Sequence, residues 1–345
     1  MKKIIIAVLS LILFIMILSI LVIGLGDRKK SIDENKSDIL KYDNYNINKI
    51  KPSYSEDELK IDVYISEKNK IDRMNIEDYV LGVLAAEMPA EFQIDALKAQ
   101  AVAARTYGLA HKENFGGAKS PKALGADVNN TVEFQVFMYK EDRMKLWPEK
   151  NRDKYWEKLT KAVKETKGEV LTYNNELVMA PYYFSTSGGK TEDAVDVFNR
   201  EQPYLKSVES PGEEKSPKYI TEFKFSYSEF INLLNKWNPK IKLKSSNLKS
   251  QISILERTSG GSVTKLKIGS EYISGQKLRS ILNLNSANFT IKFNSKDIVV
   301  TCKGYGHGVG MSQWGANAMA KEGDNYETIL EHYYQGVKIT KLKEK

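Results

Sequence analysis

The chain has 345 residues, 41% of them hydrophobic and 28% charged, with one cysteine and a net charge of +8. That apolar fraction supports a packed core, and disorder is not the default reading, while the lone Cys302 excludes a disulfide framework and a multi-cysteine zinc site. The basic residues are spread along the chain among Asp and Glu, with no zinc finger or RNA-binding motif, so no nucleic-acid partner is expected.

Lys2 and Lys3 precede an uncharged apolar run over residues 4–26, long enough to span a bilayer, which takes about 20 residues. It is rich in Ile and Leu and has no small-residue cleavage site, so residues 1–26 are predicted to be a retained transmembrane anchor rather than a cleaved signal. Arg28, Lys29 and Lys30 follow the span, so the basic-residue bias leaves its orientation open. Residues 27–57 are polar and weakly patterned and read as a juxtamembrane linker.

Folding signals begin with Ile61, Val63 and Ile65, which alternate as in a half-buried strand. Asn75 is placed to cap a helix through Tyr79, Val80, Val83 and Leu84, ended by Met88 and Pro89. A second helix is predicted from near Asp95 to about Lys112, its alanines permitting close approach of a neighbour. After a polar loop comes a third helix over 154–167, then strands over 169–173 and 177–184 joined at Asn174 and Asn175, a hairpin signal. A helix over 225–237 precedes short strands over 252–257, 263–268, 289–293 and 298–301. A glycine-rich segment, 304–310, leads into a final helix over 313–321. No long-period repeat and no regular βαβ alternation occurs, so the expected fold class is α+β: one large mixed domain over 58–340 with a substrate cleft, preceded by the membrane helix.

Glu87, hemmed by Ala85, Ala86 and Met88 at the end of its helix, has the features that raise a carboxyl pKa, as a glycosidic general acid requires. Spacing alone favours a capping or salt-bridged glutamate. Lys98 and Arg105, seven residues apart, share one face of the second helix, while Gln100 and Tyr107 are displaced from it. The two cations could bind a carboxylate or sugar hydroxyls near Glu87, although such residues usually face water. The segment 182–191 passes from an apolar strand into a loop of Ser, Thr and Gly; no G-x-S-x-G elbow surrounds Ser185 or Ser187, against a serine hydrolase. His307 is presented between two glycines, in a segment with neither phosphate-loop nor dinucleotide-binding spacing. The three histidines form no ligand spacing with Cys302, and neither metal nor other cofactor is expected.

Three stretches, 84–107, 183–191 with 203–211, and 304–316 continuing to His332, Tyr333 and Tyr334, together resemble the stage II sporulation protein D family and its amidase-enhancer relatives. The resemblance runs in order from about Ile61 to Ile339. It implies a lytic transglycosylase acting during sporulation and engulfment on peptidoglycan glycan strands already stripped of stem peptides. Glu87 falls on the family's catalytic position; Lys98, Gln100, Arg105, Tyr107, Ser187, His307 and Gln313 fall on substrate-binding stretches. Some relatives carry a cysteine-containing metal segment; residues 127–134 here have neither Cys nor His, so zinc is not carried over. The implied partners are glycan strands, a partner amidase and membrane sporulation proteins. The body is expected outside the cytoplasm, on the mother-cell membrane facing the intermembrane space. Lys98 or Arg105 is expected to read the lactyl carboxylate that stripped muramic acid exposes. A non-catalytic enhancer of an amidase and a hydrolytic muramidase are the alternatives, with Glu192, Asp193 and Asp196 as second carboxylates for hydrolysis.

Overall fold

The computed structural model describes residues 51 and 53–344. The expected anchor and most of the expected linker lie outside the described residues, among which no helix is long and apolar enough to cross a membrane.

Strands β1 (Lys60–Ile65) and β2 (Lys70–Asn75) form an antiparallel hairpin, and β1 turns Ile61, Val63 and Ile65 into the core. The Asn75 side chain accepts from Glu77 N, as expected of a cap, and starts α1 (Ile76–Glu87). Helix α2 (Ile94–Ala110) is the central column of the molecule. Fourteen of its 17 residues are buried, so it is enclosed on every side rather than along one stripe. Its alanines let α1 pack on it closely. The short strand β3 (Val128–Asn129) runs parallel to β1.

The predicted polar loop before the third helix contains a helix of its own, α3 (Lys140–Leu146), and α4 starts earlier than expected, at Glu149–Glu165, directly after Pro148. Proline supplies a helix-compatible φ at a position where no N–H is needed. Strands β4 (Glu169–Tyr173) and β5 (Glu176–Leu177) form the expected hairpin, with Asn174 and Asn175 both at positive φ, as a primed turn requires. The predicted strand over 177–184 does not continue: Pro181 interrupts it, and β6 is only Tyr183–Phe184. Helix α5 (Ala194–Phe198) follows.

Residues 220–303 build a second hydrophobic core, inserted into the chain that builds the first; both belong to one compact unit. The predicted helix at 225–237 is preceded by an unpredicted strand, β7 (Ile220–Ser226), and α6 is Tyr227–Trp237. Ser226 is both the last strand residue and the helix cap, its Oγ accepting from Glu229 N at 3.2 Å. Next come α7 (Leu248–Gln251), β8 (Ile252–Arg257), β9 (Val263–Ile268), β10 (Glu271–Ile273), α8 (Gly275–Leu282), β11 (Phe289–Phe293) and β12 (Asp297–Lys303). Two antiparallel three-stranded sheets, β11–β12–β7 and β10–β9–β8, enclose this core. The chain then returns through β13 (Met311–Ser312), parallel to β6, into α9 (Gln313–Glu322) and α10 (Tyr326–Tyr333), and ends in β14 (Lys338–Lys341) on β4.

Candidate functional site

Glu87 is the last residue of α1 and is half-buried. One carboxyl oxygen, Oε1, accepts a hydrogen bond from Val136 N at 2.8 Å. The segment carrying Val136 lies over α1 because Gly82 lacks a side chain. Met138 N donates to Gly82 O at 3.3 Å, and a methyl group on Gly82 would fall on the Phe137 ring. Burial pushes the Glu87 carboxyl above its ordinary pKa; the Val136 N–H and the nearby Gln313 amide pull it part of the way back. The partial negative charge of a helix C-terminus acts in the same direction as burial. One oxygen is thus held by a donor, and burial shifts the carboxyl towards its protonated form.

Gln135, next to Val136, organises the tyrosines around this carboxyl. Its Nε2 donates to Ala104 O at 3.3 Å and to Tyr79 Oη at 3.1 Å, and its Oε1 accepts from Tyr183 Oη at 2.7 Å. The Ala104 carbonyl can only accept, which fixes which way the amide points. Burial first, then the neighbouring Glu87 charge, push the Tyr183 hydroxyl well above its usual pKa, so it stays protonated. Gln313 enters as the first residue of α9. It is buried beside the carboxyl, and its Nε2 makes no full hydrogen bond. Helix α9 is seated by Trp314 N donating to Ser185 O (3.1 Å), by Asn317 Oδ1 accepting from Gln93 N (2.8 Å), and by an edge contact between Trp314 and Phe92 at 5.0 Å.

Around Glu87 the structure therefore gathers Val136, Gln313, Gln135 and Tyr183. Of the residues singled out from sequence, Gln313 belongs to this group. Tyr107 is buried, its ring 4.3 Å from that of His111. Gln100 is fully buried and neither of its amide atoms is hydrogen-bonded.

The two cations are paired with other carboxylates. Arg105 is fully buried and grips Glu77 with two bonds, Nε to Oε1 at 3.0 Å and Nη2 to Oε2 at 2.6 Å; Nη1 also donates to Glu169 O at 3.1 Å. Glu77 sits in the first turn of α1 and Glu87 in the last, about 15 Å apart along the axis at 1.5 Å per residue. Arg105 therefore does not read a substrate carboxylate beside Glu87. A cation this well paired is part of the core. Lys98 is tied to Glu165 at 2.7 Å, against the end of α4.

Ser187 is buried, and its Oγ accepts from Gly189 N at 2.9 Å, a turn-forming role. His307 lies among Tyr182, Phe184 and Phe198. Successive strand side chains point to opposite faces. Tyr182 and Phe184 thus share the His307 side of β6, whereas Tyr183 points to the Glu87 side. Burial, helped by the Arg279 charge, holds the imidazole at a pKa of about 4, so it is neutral near pH 7. Its Nδ1 accepts from Val309 N at 3.1 Å. His307 braces the strand from behind.

Two of the carboxylates proposed for hydrolysis are also committed. Glu192 is buried, with Oε1 accepting from Ser262 N at 3.1 Å, and Asp193 Oδ1 accepts from Ser207 N at 3.0 Å. Asp127 pairs with Lys119 at 3.0 Å and accepts from Asp62 N at 2.9 Å. Among the described residues no group of three or more His, Cys, Asp or Glu is arranged to hold a metal ion.

Residues 64–173, which hold both Glu87 and the Gln135–Val136 pair, match the family described as Stage II sporulation protein. Stage II sporulation protein D of Bacillus subtilis is 42% identical over 280 residues, covering 81% of this chain and 78% of that protein. The chain belongs to the stage II sporulation protein D family. Its counterpart in Bacillus amyloliquefaciens is 40% identical over 84% of this chain and 81% of that protein. A protein named amidase enhancer, from Bacillus subtilis, is 29% identical over 75% of this chain but only 40% of its own length. Membership in the stage II sporulation protein D family makes this a sporulation protein.

The residues that sequence reasoning missed are Gln135, Val136 and Tyr183. Their signal was a lone amide between apolar residues in Phe134–Gln135–Val136–Phe137 and a tyrosine at a strand end. Both are weak without the fold.

Proposed function

We propose that this chain is a membrane-anchored lytic transglycosylase that cleaves peptide-stripped glycan strands and leaves 1,6-anhydro-muramic acid ends during engulfment. The observation that supports it best is the Glu87 carboxyl, half-buried, biased towards its protonated form and anchored at one oxygen by Val136 N–H. Glu87 protonates the oxygen leaving C1 of muramic acid as an oxocarbenium-like centre develops. The carboxylate then takes the proton of the same sugar's C6 hydroxyl, whose oxygen attacks C1 and closes the anhydro ring. Because the nucleophile is tethered to its target, no second carboxylate has to activate a water. The hydrogen bonds that occupy Glu192 and Asp193 support this route over hydrolysis. In this reading the apolar N-terminal run anchors the enzyme in the mother-cell membrane with its body outside the cytoplasm. An amidase that strips the strands is its partner.

The likeness to a protein named amidase enhancer supports a second reading, a non-catalytic module that assists such an amidase. Wild type and Glu87→Gln are to be incubated with stripped glycan and the products weighed. The expected result is anhydro ends, lighter than reducing ends by one water, with cleavage reduced about 10²- to 10⁴-fold in the variant. Reducing ends would identify a muramidase, and wild-type cleavage no faster than that of Glu87→Gln would favour the enhancer.

A further inference from the structure

The segment with its own core, residues 220–303, contains fourteen Lys and Arg against five Asp and Glu, a net charge of +9 in a chain whose total is +8. The rest of the chain therefore nets −1, and the even spread read from the sequence as a whole holds only outside this lobe. Thirteen of the fourteen cations are exposed, Arg279 being half-buried. Among the described residues only Lys224 and Lys265 of the lobe's cations are in ion pairs.

The unpaired charge has an address. No acidic residue occurs between Glu229 and Glu256, a stretch with Lys236, Lys240, Lys242, Lys244 and Lys249. Ile241 and Leu243 turn into the lobe's core while Lys242 and Lys244 turn out. This segment meets the end of β9 at Gly269, where a methyl group would lie 3.0 Å from Ile241 O. The outer face of β9 adds Lys265 and Lys267, with Lys267 opposite Tyr272 of β10. Two rings stand among the cations: Lys277 lies 5.5 Å from the Trp237 ring and Lys265 5.6 Å from that of Tyr272, which is 59% exposed.

We propose that this face of the lobe is a docking surface for the peptide-stripped glycan strand, outside the Glu87 site, with the lysines meeting its lactyl carboxylates and the exposed aromatic edge its sugar rings. The inference rests on the glycan reading of Glu87. Two observations choose this occupant. The lobe springs from the loops that lead into the Glu87 site: Gly304 N donates to Tyr219 O at 2.7 Å across its base, Tyr305 pairs with Thr186, and Ser185 seats α9. The lobe and the Glu87 site are thus joined through the same loops. The unpaired lysines are complementary in charge to a polymer that carries a carboxylate on each stripped muramic acid, and the rings standing among them offer faces to its sugars.

The test uses full-length Glu87→Gln in neutral detergent, so that binding is read without cleavage. Its affinity for labelled stripped strands is compared with that of the same protein carrying Lys236→Gln, Lys240→Gln, Lys244→Gln and Lys249→Gln, all at exposed positions, with folding checked by thermal melting. A loss of about tenfold or more at about 50 mM salt, and a shallower salt dependence, is expected. Strands whose carboxylates have been converted to amides should bind the unsubstituted lobe as weakly as native strands bind the variant. Unchanged affinity in the variant, or equal affinity for amidated strands, overturns the proposal. So does tighter binding of duplex DNA or anionic vesicles at the same salt, which would assign the surface to those polymers. Strand binding without wild-type cleavage would sink the Glu87 reading and leave the docking surface standing.

Discussion

Arg105 shows how one residue type changes meaning with its surroundings. On the helix that follows Glu87 in sequence it reads as a substrate cation, yet the fold places it at 0% exposure with both carboxylate oxygens of Glu77. Removing one partner of such a pair strands the other charge, which costs about 3–5 kcal/mol. Arg105→Ala should therefore lose that much stability in a denaturant titration, with Arg105→Lys between the two, since an ammonium cannot supply the fork. In whatever fraction stays folded, the preference for stripped over peptide-bearing strands should be unchanged. An Arg105→Ala protein as stable as wild type but without that preference would return Arg105 to the substrate. Glu87, by contrast, was legible as a candidate because its helix end and apolar flanks are local features. The partner that anchors it, Val136, is 49 residues away, a separation that no local pattern spans.

Elements were legible where their signals were local. The Asn75 cap, the Asn174–Asn175 turn and the alternating strands are set by neighbouring residues, and they fall where expected. The strand over 177–184 failed on a single proline, and β7 was not expected, its last two residues, Phe225 and Ser226, being read into the helix that follows because Ser226 serves both. The glycine segment matters more for where it delivers the chain than for what it presents. Beneath it, Ser210 Oγ donates to Glu213 Oε1 at 2.6 Å and meets Tyr333 Oη at 2.7 Å, and burial raises the Glu213 pKa. Gly315, in the first turn of α9, lies directly against this trio, so that a methyl group there would overlap Tyr333 Oη and Ser210 Oγ. Gly315→Ala should cost about 1–3 kcal/mol by overpacking and reduce cleavage by moving Gln313 away from Glu87. Ser312→Ala, which removes the helix cap together with the Ser312 Oγ bond to Ser185 O at 3.4 Å and its contact with Glu213, should cost about 1–2 kcal/mol. Equal losses from both would mean that packing at Gly315 does not seat the helix.

At the scale of the molecule, two cores meet along a polar seam, and Glu192 is at its centre. Its backbone N donates to Gly308 O in the first core's glycine segment, and its carboxyl receives Ser262 N from the lobe. Gly260 and Gly308 leave room for that carboxyl and no more. Burial raises its pKa from 4.5, and the Asp196 charge adds to the shift. With the folded pKa above the unfolded one, the native state holds the proton longer. The stability this gives is complete below about pH 4.5 and is lost as pH rises through the folded pKa. The charge then appears between the cores, so the loss should be felt first at the seam. Hydrogen exchange corrected for intrinsic rates should show the amides of Gly261 and Val263 losing protection relative to those of α2 and β4 as pH rises. Glu192→Gln, neutral at every pH and still able to accept from Ser262 N, should abolish that difference. Glu192→Ala, which leaves Ser262 N without its partner, should loosen the seam at all pH values. If the wild-type seam and core keep a constant ratio of protection from acid to alkaline pH, Glu192 is not the group that couples them. The lobe would then be held by its other bonds to the first core, Gly306 N to Asn285 O and Ser259 Oγ to Ser207 Oγ among them.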